Sequence, residues 1–216
     1  MDTPTFTHLR HQMVNTQLHQ RGIRDERVLS AMSRVPRHEF VAEPYRDRAY
    51  DDSPLPIGEG QTISQPYIVA LMLELLDLSP EETVLEVGTG SGYQTALLAE
   101  LSHHVYSIER HPALAGQARA VLSRLGYQNV ALEIGDGSKG LPAHAPFDRI
   151  IVSAAAPKLP QALFDQLREG GRLIVPVGPS EAQLLQLVTR IEGKPVLVEQ
   201  TACRFVPLIG QQGYAE

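Results

Sequence analysis

A doubly wound α/β fold is what this sequence predicts, with a mostly parallel sheet, an antiparallel C-terminal hairpin and an N-terminal helical extension. Three observations carry that prediction. Short apolar runs at 83–87, 105–109, 130–134, 147–153 and 172–177 alternate with helical stretches near 93–102, 112–125 and 158–168. Strands that are apolar on both faces and separated by helices imply a parallel sheet covered on each side, with right-handed crossovers. A glycine-rich turn within "VLEVGTGSGYQT" (84–95) joins the first run to its helix. Beyond residue 182, two β-rich runs flank Glu192-Gly193-Lys194, a hairpin signal that finishes the sheet with antiparallel strands.

The elements follow in order. Between residues 5 and 45, Val14 and Leu18, then Val28, Leu29, Met32 and Val35, recur at helical spacing, with Asp25 as N-cap and Pro36 ending the second helix. The prolines and glycines of "DDSPLPIGEGQTISQP" (51–66) read as a long irregular loop, the kind that carries function in compact domains. Pro66 suits a first helical position, with Ser64 and Gln65 just outside it, and Ile68, Leu71, Met72, Leu75 and Leu76 form an apolar face. Pro112 starts and Gly126 ends the helix near 112–125. The reading is one domain over 1–216, divided into a helical extension and loop (1–60), an α/β core (61–180) and a β-rich end (181–216).

The 216 residues, 43% hydrophobic and 20% charged, suffice for one full core. A formal net charge of -6 with scattered Lys and Arg gives no pull toward nucleic acid or anionic membrane. Cys203 is the single cysteine, so there is no disulfide framework, and the histidines show neither HExxH nor paired Cys/His spacing; no metal is expected. The N-terminus lacks an apolar leader and no run reaches the roughly 20 apolar residues needed to cross a bilayer. These features predict a cytoplasmic protein with no membrane or nucleic-acid partner; a monomer is expected, though nothing in them sets the oligomeric state.

Open α/β sheets place ligands at the carboxyl ends of their strands. There, Gly88, Gly90 and Gly92 let the backbone turn sharply and approach a ligand closely. Glu109 ends the next strand, 21 positions after Gly88, where a carboxylate accepts hydrogen bonds from a ribose diol. "GDG" (135–137) follows the third strand and places Asp136 in reach of an adenine amino group. A dinucleotide fingerprint needs a third glycine at position 93, and Tyr93 stands there, which lowers a nicotinamide or flavin reading. The competing bland reading is a structural glycine turn, a surface glutamate and a turn aspartate. The three strand ends together favour a nucleoside-containing cofactor.

These residues resemble the S-adenosylmethionine site of Rossmann-like, class I methyltransferases. More narrowly, the chain resembles the protein-L-isoaspartate O-methyltransferase family through "VLSAMSRVPRHEFV" (28–41), "AYDDSPLPIGEGQTISQPYIVALM" (49–72), "VLEVGTGSGYQTALLA" (84–99), "GDG" (135–137), "FDRIIVSAAAP" (147–157), "LREGGRLIVPVG" (167–178) and "RFVPLIG" (204–210). It departs from the family after "GDG", where bacterial members carry a tryptophan and this chain reads Ser138-Lys139-Gly140-Leu141-Pro142. The resemblance implies methyl transfer from S-adenosylmethionine, leaving S-adenosylhomocysteine, to the free α-carboxylate of L-isoaspartyl residues in damaged proteins and peptides. It implies cofactor binding by Glu86, Gly88, Thr89, Gly90, Gly92, Glu109, Asp136 and Gly137. It also implies Ser64 as the active-site residue, with Thr62, Ile63, Ser64 and Val206 on the substrate side.

Methyl transfer to a carboxylate needs no general base, because a carboxyl with an ordinary pKa near 4 is already ionised at pH 7. The protein must align the reactants and exclude water. A hydroxyl and backbone N–H groups at a helix start can hold the anion, and Ser64 with Thr62 and Ile63 fits that task. Capping of the helix at Pro66 is the other reading of Ser64, and the two roles are compatible. No Gly-x-Ser-x-Gly elbow surrounds it. The strand end "SAAAP" (153–157) lacks the Asn/Asp-Pro-Pro-aromatic motif of amino-directed DNA methyltransferases. Two further readings stay open: a class I methyltransferase with another carboxylate or small-molecule acceptor, and a non-catalytic S-adenosylmethionine-binding module.

Overall fold

The computed structural model describes residues 4–215. Five strands form the parallel core: β3 (Thr83–Val87), β4 (His104–Glu109), β5 (Val130–Ile134), β6 (Phe147–Val152) and the first half of β7 (Leu167–Val177). β8 (Gln183–Ile191) and β9 (Lys194–Cys203) complete the sheet antiparallel, in the order β5-β4-β3-β6-β7-β8-β9. The chain winds outward from β3 in both directions, so the crossovers diverge between β3 and β6 and leave a crevice at their carboxyl ends. The apolar runs explain this burial: Val84, Leu85, Ile150, Ile151, Leu173 and Ile174 are fully enclosed, as both faces of a covered parallel strand must be.

Helices α3 (Pro66–Leu76), α4 (Tyr93–Leu101) and α5 (Pro112–Arg124) cover the sheet. The N-terminal segment forms α1 (Pro4–Gln12), a wide-pitched helical turn over Met13–Leu18, a 3₁₀ turn over His19–Arg21, and α2 (Glu26–Arg34). Asp25 caps α2 by accepting the Arg27 N–H at 2.8 Å, and Pro36 follows its end. Met13, Leu18, Ile23, Val28 and Met32 share one core with Met72, Leu73 and Leu97, so the extension forms a further layer over α3 and α4. Among the described residues no helix is long and apolar enough to cross a membrane.

Two expectations change. Residues 51–66 are not wholly irregular, since Leu55–Gly58 (β1) and Gln61–Ile63 (β2) form an antiparallel hairpin that buries Leu55 and Ile63. Its tip places Gly58, Glu59 and Gly60 all at positive φ, a geometry that two glycines make accessible. The helix expected over 158–168 shrinks to α6 (Gln161–Asp165), and β7 begins at Leu167, opposite Phe147. "EGG" at 169–171, left between the expected helix and strand, is an irregularity within β7: Gly170 has φ 73°, and a Cβ on Gly171 would sit 2.8 Å from the Asp148 carbonyl oxygen.

Candidate active site

A cleft of about 930 Å³, counting its open mouth, lies at the carboxyl edge of β3, β4 and β6. The loop after β3 forms its floor. The Gly88 N–H bonds the Ile108 carbonyl at 2.9 Å, and its φ of 93° is a backbone conformation that residues with a side chain rarely adopt. Gly137 closes the floor from the β5 side, where a Cβ would lie 2.6 Å from Val87 Cγ1. Small residues here keep the backbone open to a ligand.

Glu109 is 5% exposed and works on two loops at once. Its Oε2 accepts the Gly90 N–H and its Oε1 accepts the His111 N–H, both at 2.9 Å. A carboxylate has about four acceptor sites, so two backbone bonds leave capacity for a diol at the cleft wall. His111 Nδ1 lies 3.7 Å from Glu59 at the tip of the β1–β2 hairpin, which brings that hairpin against the cleft mouth.

Glu86 sits beneath the loop rather than in the cleft, with no exposed surface. Its carboxylate accepts hydrogen bonds from Thr95 Oγ1, Ser107 Oγ at 2.6 Å and Gln94 Nε2 at 3.2 Å. Burial pushes its carboxyl up to about 7, against those three bonds. The same Gln94 amide donates to Ser153 Oγ at 2.7 Å, and Thr89 Oγ1 lies 2.5 Å from Ser107 Oγ. Glu86 therefore reaches the cleft through Gln94, Ser153 and Thr89, all of which line it.

Asp136 does not line the main cleft. It opens onto a shallower neighbouring recess with Arg110 and Tyr214. Its Oδ1 accepts the Ser138 N–H and hydroxyl, and its Oδ2 accepts the Gln211 N–H at 3.0 Å. The Gln212 N–H bonds Ser138 Oγ at 3.0 Å. Asp136 and Ser138 thus pin the C-terminal segment whose residues Val206–Ile209 wall the cleft. Gly92 is also outside the cleft: at φ 87° it starts α4, and a Cβ would meet Ala118 of α5 at 3.2 Å.

Thr62, Ile63 and Ser64, at the end of the β1–β2 hairpin, and Val206 of the C-terminal segment also line the cleft. Ser64 does not cap α3. Gln65 holds that position, and Asp52 serves the helix start, its Oδ1 accepting the Tyr67 N–H at 3.4 Å and its Oδ2 accepting Gln65 Nε2 at 2.8 Å. The positive helix end expected to hold an anion is therefore answered from within the chain. Among the described residues the Ser64 hydroxyl makes no hydrogen bond, while the Ser64 carbonyl accepts one from Arg37 at 2.8 Å.

Several lining residues escaped the sequence reading. Gln94 was legible as the polar residue in the first turn after the glycine loop, and Ser153 as the polar end of the fourth strand. Arg110 and His111 follow Glu109 directly. Tyr93, whose ring is 1% exposed, had no signal beyond occupying the fingerprint's third glycine position.

The family model for Protein-L-isoaspartate(D-aspartate) O-methyltransferase matches residues 9–213. A protein-L-isoaspartate O-methyltransferase of Koribacter versatilis is 56% identical over 99% of this chain and 96% of its own length. Another, of Syntrophus aciditrophicus, is 55% identical over 97% of this chain and 98% of its own. A solved protein-L-isoaspartate O-methyltransferase superposes with a TM-score of 0.84 at 31% identity, over 94% of this chain and 66% of that longer one. A Plasmodium falciparum beta-aspartate methyltransferase in complex with S-adenosyl-L-homocysteine gives 0.82 at 29% identity, over 93% and 98%. Since the match runs through the glycine loop, the hairpin bearing Ser64 and the C-terminal wall alike, the chain belongs to the protein-L-isoaspartate(D-aspartate) O-methyltransferase family.

Proposed function

We propose that this chain transfers a methyl group from S-adenosylmethionine to the free α-carboxylate of L-isoaspartyl residues in damaged proteins and peptides, with Ser64 as the residue that holds the acceptor. The carrying observation is the shared cleft, lined both by the glycine loop and Glu109 and by Ser64, whose hydroxyl makes no hydrogen bond among the described residues. The residues fit the cofactor: Glu109 is an acceptor suited to a ribose diol, Gly88 turns the loop at φ 93°, and a Cβ on Gly137 would collide with Val87. Thr89, Gly90 and Gly137 form the floor under it. Glu86 acts one layer below, by fixing Gln94 and Ser153. Asp136 anchors the C-terminal wall from the neighbouring recess, and Gly92 starts α4 behind the loop.

S-adenosylmethionine supplies, when bound, a methyl group on a positively charged sulfur. The acceptor arrives as a carboxylate, so the chain has no proton to remove from it. Ser64 Oγ donates a hydrogen bond to one carboxylate oxygen and aims the other toward the cleft floor. Thr62 and Ile63 shape the approach. Val206 and Leu208 line the same wall and keep water from the nucleophile. Such alignment, with reduced hydration, is worth several kcal/mol, about 7–11 at the upper end.

The three segments work as one methyltransferase domain. We read the enzyme as a cytoplasmic monomer that acts on polypeptides and not nucleic acid, a reading supported by the net charge of -6 and the lone cysteine. Sedimentation of the full chain checks the monomer. The reaction is tested with an isoaspartyl peptide and its aspartyl twin, scored by base-labile methyl ester; equal labelling of the two sinks the assignment. Ser64→Ala lowers kcat/KM for the isoaspartyl peptide about 10- to 100-fold, the equivalent of roughly 1.5–3 kcal/mol for a hydrogen bond to an ion. Calorimetric affinity for S-adenosylhomocysteine stays within about threefold. A parallel loss of both overturns the assignment of Ser64 to the acceptor.

A further inference from the structure

The segment "VLSAMSRVPRHEFV" contains a charge that the mechanism above leaves without a task. Arg37 lies in the short 3₁₀ turn Arg37–Phe40 and has no exposed surface. Its Nε donates to the Ala49 carbonyl at 2.7 Å and one Nη donates to the Ser64 carbonyl at 2.8 Å. The other Nη has no hydrogen-bond partner among the described residues. The guanidinium carbon stands 4.8 Å from the centre of the Tyr93 ring, which lines the cleft. Among the described residues no carboxylate forms a salt bridge with it.

Burying a guanidinium with no carboxylate at salt-bridge distance is expensive, since Asp52 attracts it only from farther off, and a core serving stability alone would hold an apolar side chain or a directly paired carboxylate here. Burial lowers its pKa to about 10, so it remains a cation at neutral pH. Its contacts converge on the acceptor side: the carbonyl of Ser64, the ring of Tyr93, and the 49–52 segment whose Asp52 holds the start of α3. The carbonyl of Ser64 is fixed in direction by this bond, and with it the backbone from which the hydroxyl projects. The positive charge sits one residue's backbone away from that hydroxyl, in a medium that screens it weakly.

We propose that Arg37 is a positioning residue for methyl transfer, locking the Ser64 peptide and supplying the buried positive charge toward which the acceptor carboxylate is drawn. The assignment rests on the reading of Ser64 as the acceptor-side residue. It predicts that both the fork and the charge of Arg37 matter, in separable ways.

Arg37→Lys keeps the charge and loses the fork; Arg37→Gln loses the charge. Arg37→Lys lowers kcat/KM for an isoaspartyl peptide about 10-fold and Arg37→Gln about 100-fold, with a raised peptide KM in each, the scale of one and then both contributions. Affinity for S-adenosylhomocysteine by calorimetry stays within about threefold of wild type. A merely structural role moves both variants alike and lowers cofactor affinity with activity, and that pattern overturns the proposal. Nitrogen-15 arginine NMR of the wild-type protein, saturated with S-adenosylhomocysteine, gives a result independent of either variant's folding. The protected Arg37 guanidinium signal shifts on adding the isoaspartyl peptide and holds still with the aspartyl twin; no shift with either peptide refutes the role. Wild-type enzyme that labels both peptides equally sinks the functional reading itself. Isoaspartyl-selective wild type with variants equal to it removes Arg37 alone.

Discussion

Replacing Glu86 by glutamine isolates what the buried carboxylate does to stability. An ordinary glutamate has a pKa near 4.5, and burial holds this one at about 7 in the folded chain. Below pH 4.5 the group is protonated in both states and takes nothing from stability. As pH rises through 4.5 the unfolded chain releases this proton while the folded chain keeps it, so stability falls until the folded carboxyl also ionises near 7. The gap between 4.5 and about 7, at about 1.4 kcal/mol per pH unit, amounts to about 3 kcal/mol, of which roughly 2–3 is spread between pH 5 and 8. Glutamine does not titrate. It sets an amide N–H₂ against the donors Thr95, Ser107 and Gln94, an offset that is the same at every pH. The assay is urea unfolding of wild type and Glu86→Gln at pH 5, 6, 7 and 8. The stability of wild type relative to the variant is expected to decline by about 2–3 kcal/mol across that range, and other groups cancel in the difference. A flat difference refutes the reasoning, and a rising one means that the three donors outweigh the loss of hydration.

Two further substitutions probe the cleft. Glu109→Ala strands the Gly90 and His111 N–H groups and removes the proposed diol acceptor, so S-adenosylhomocysteine affinity is expected to fall about 10- to 100-fold by calorimetry. Unchanged affinity contradicts the placement of Glu109. Asp136→Ala releases the Gln211 N–H and loosens the wall, so trypsin is expected to cut after the exposed Arg204 faster than in wild type, with a raised peptide KM; an unaltered cleavage rate shows that Asp136 does not anchor the segment.

The parallel core was legible because each strand is a short apolar run bounded by polar or glycine signals, and β3 and β5 have the limits their sequences predict. The β1–β2 hairpin was hidden, since Pro54, Pro56 and three successive positive-φ residues suit a loop equally well. The start of β7 was hidden for the opposite reason: its two glycines sit inside a strand, which only the partner strand β6 reveals. In the site, chain order put Glu109, the glycine loop and Ser64 at one sheet edge. Which way each carboxylate turns was not legible. Glu86 and Asp136 lie in the strand and the loop where the motifs put them, but neither lines the main cleft: Thr95, Ser107 and Gln211 claim their oxygens, and those donors come from elsewhere in the sequence.

Tyr93 breaks the dinucleotide fingerprint, and its surroundings show what the break records. The close approach between helix and neighbour is made by Gly92 against Ala118, so position 93 is released from being small. It is filled by a ring that meets Phe40 edge-on at 5.7 Å, lies under Arg37 and touches Met32 Sδ at 3.5 Å through its hydroxyl. All three partners belong to the N-terminal layer. A single position inside the cofactor loop therefore registers that a second layer covers the helix behind it. In a chain of this architecture, a bulky aromatic at that position is a written trace of the cover, and a glycine there would leave the cover nothing to grip.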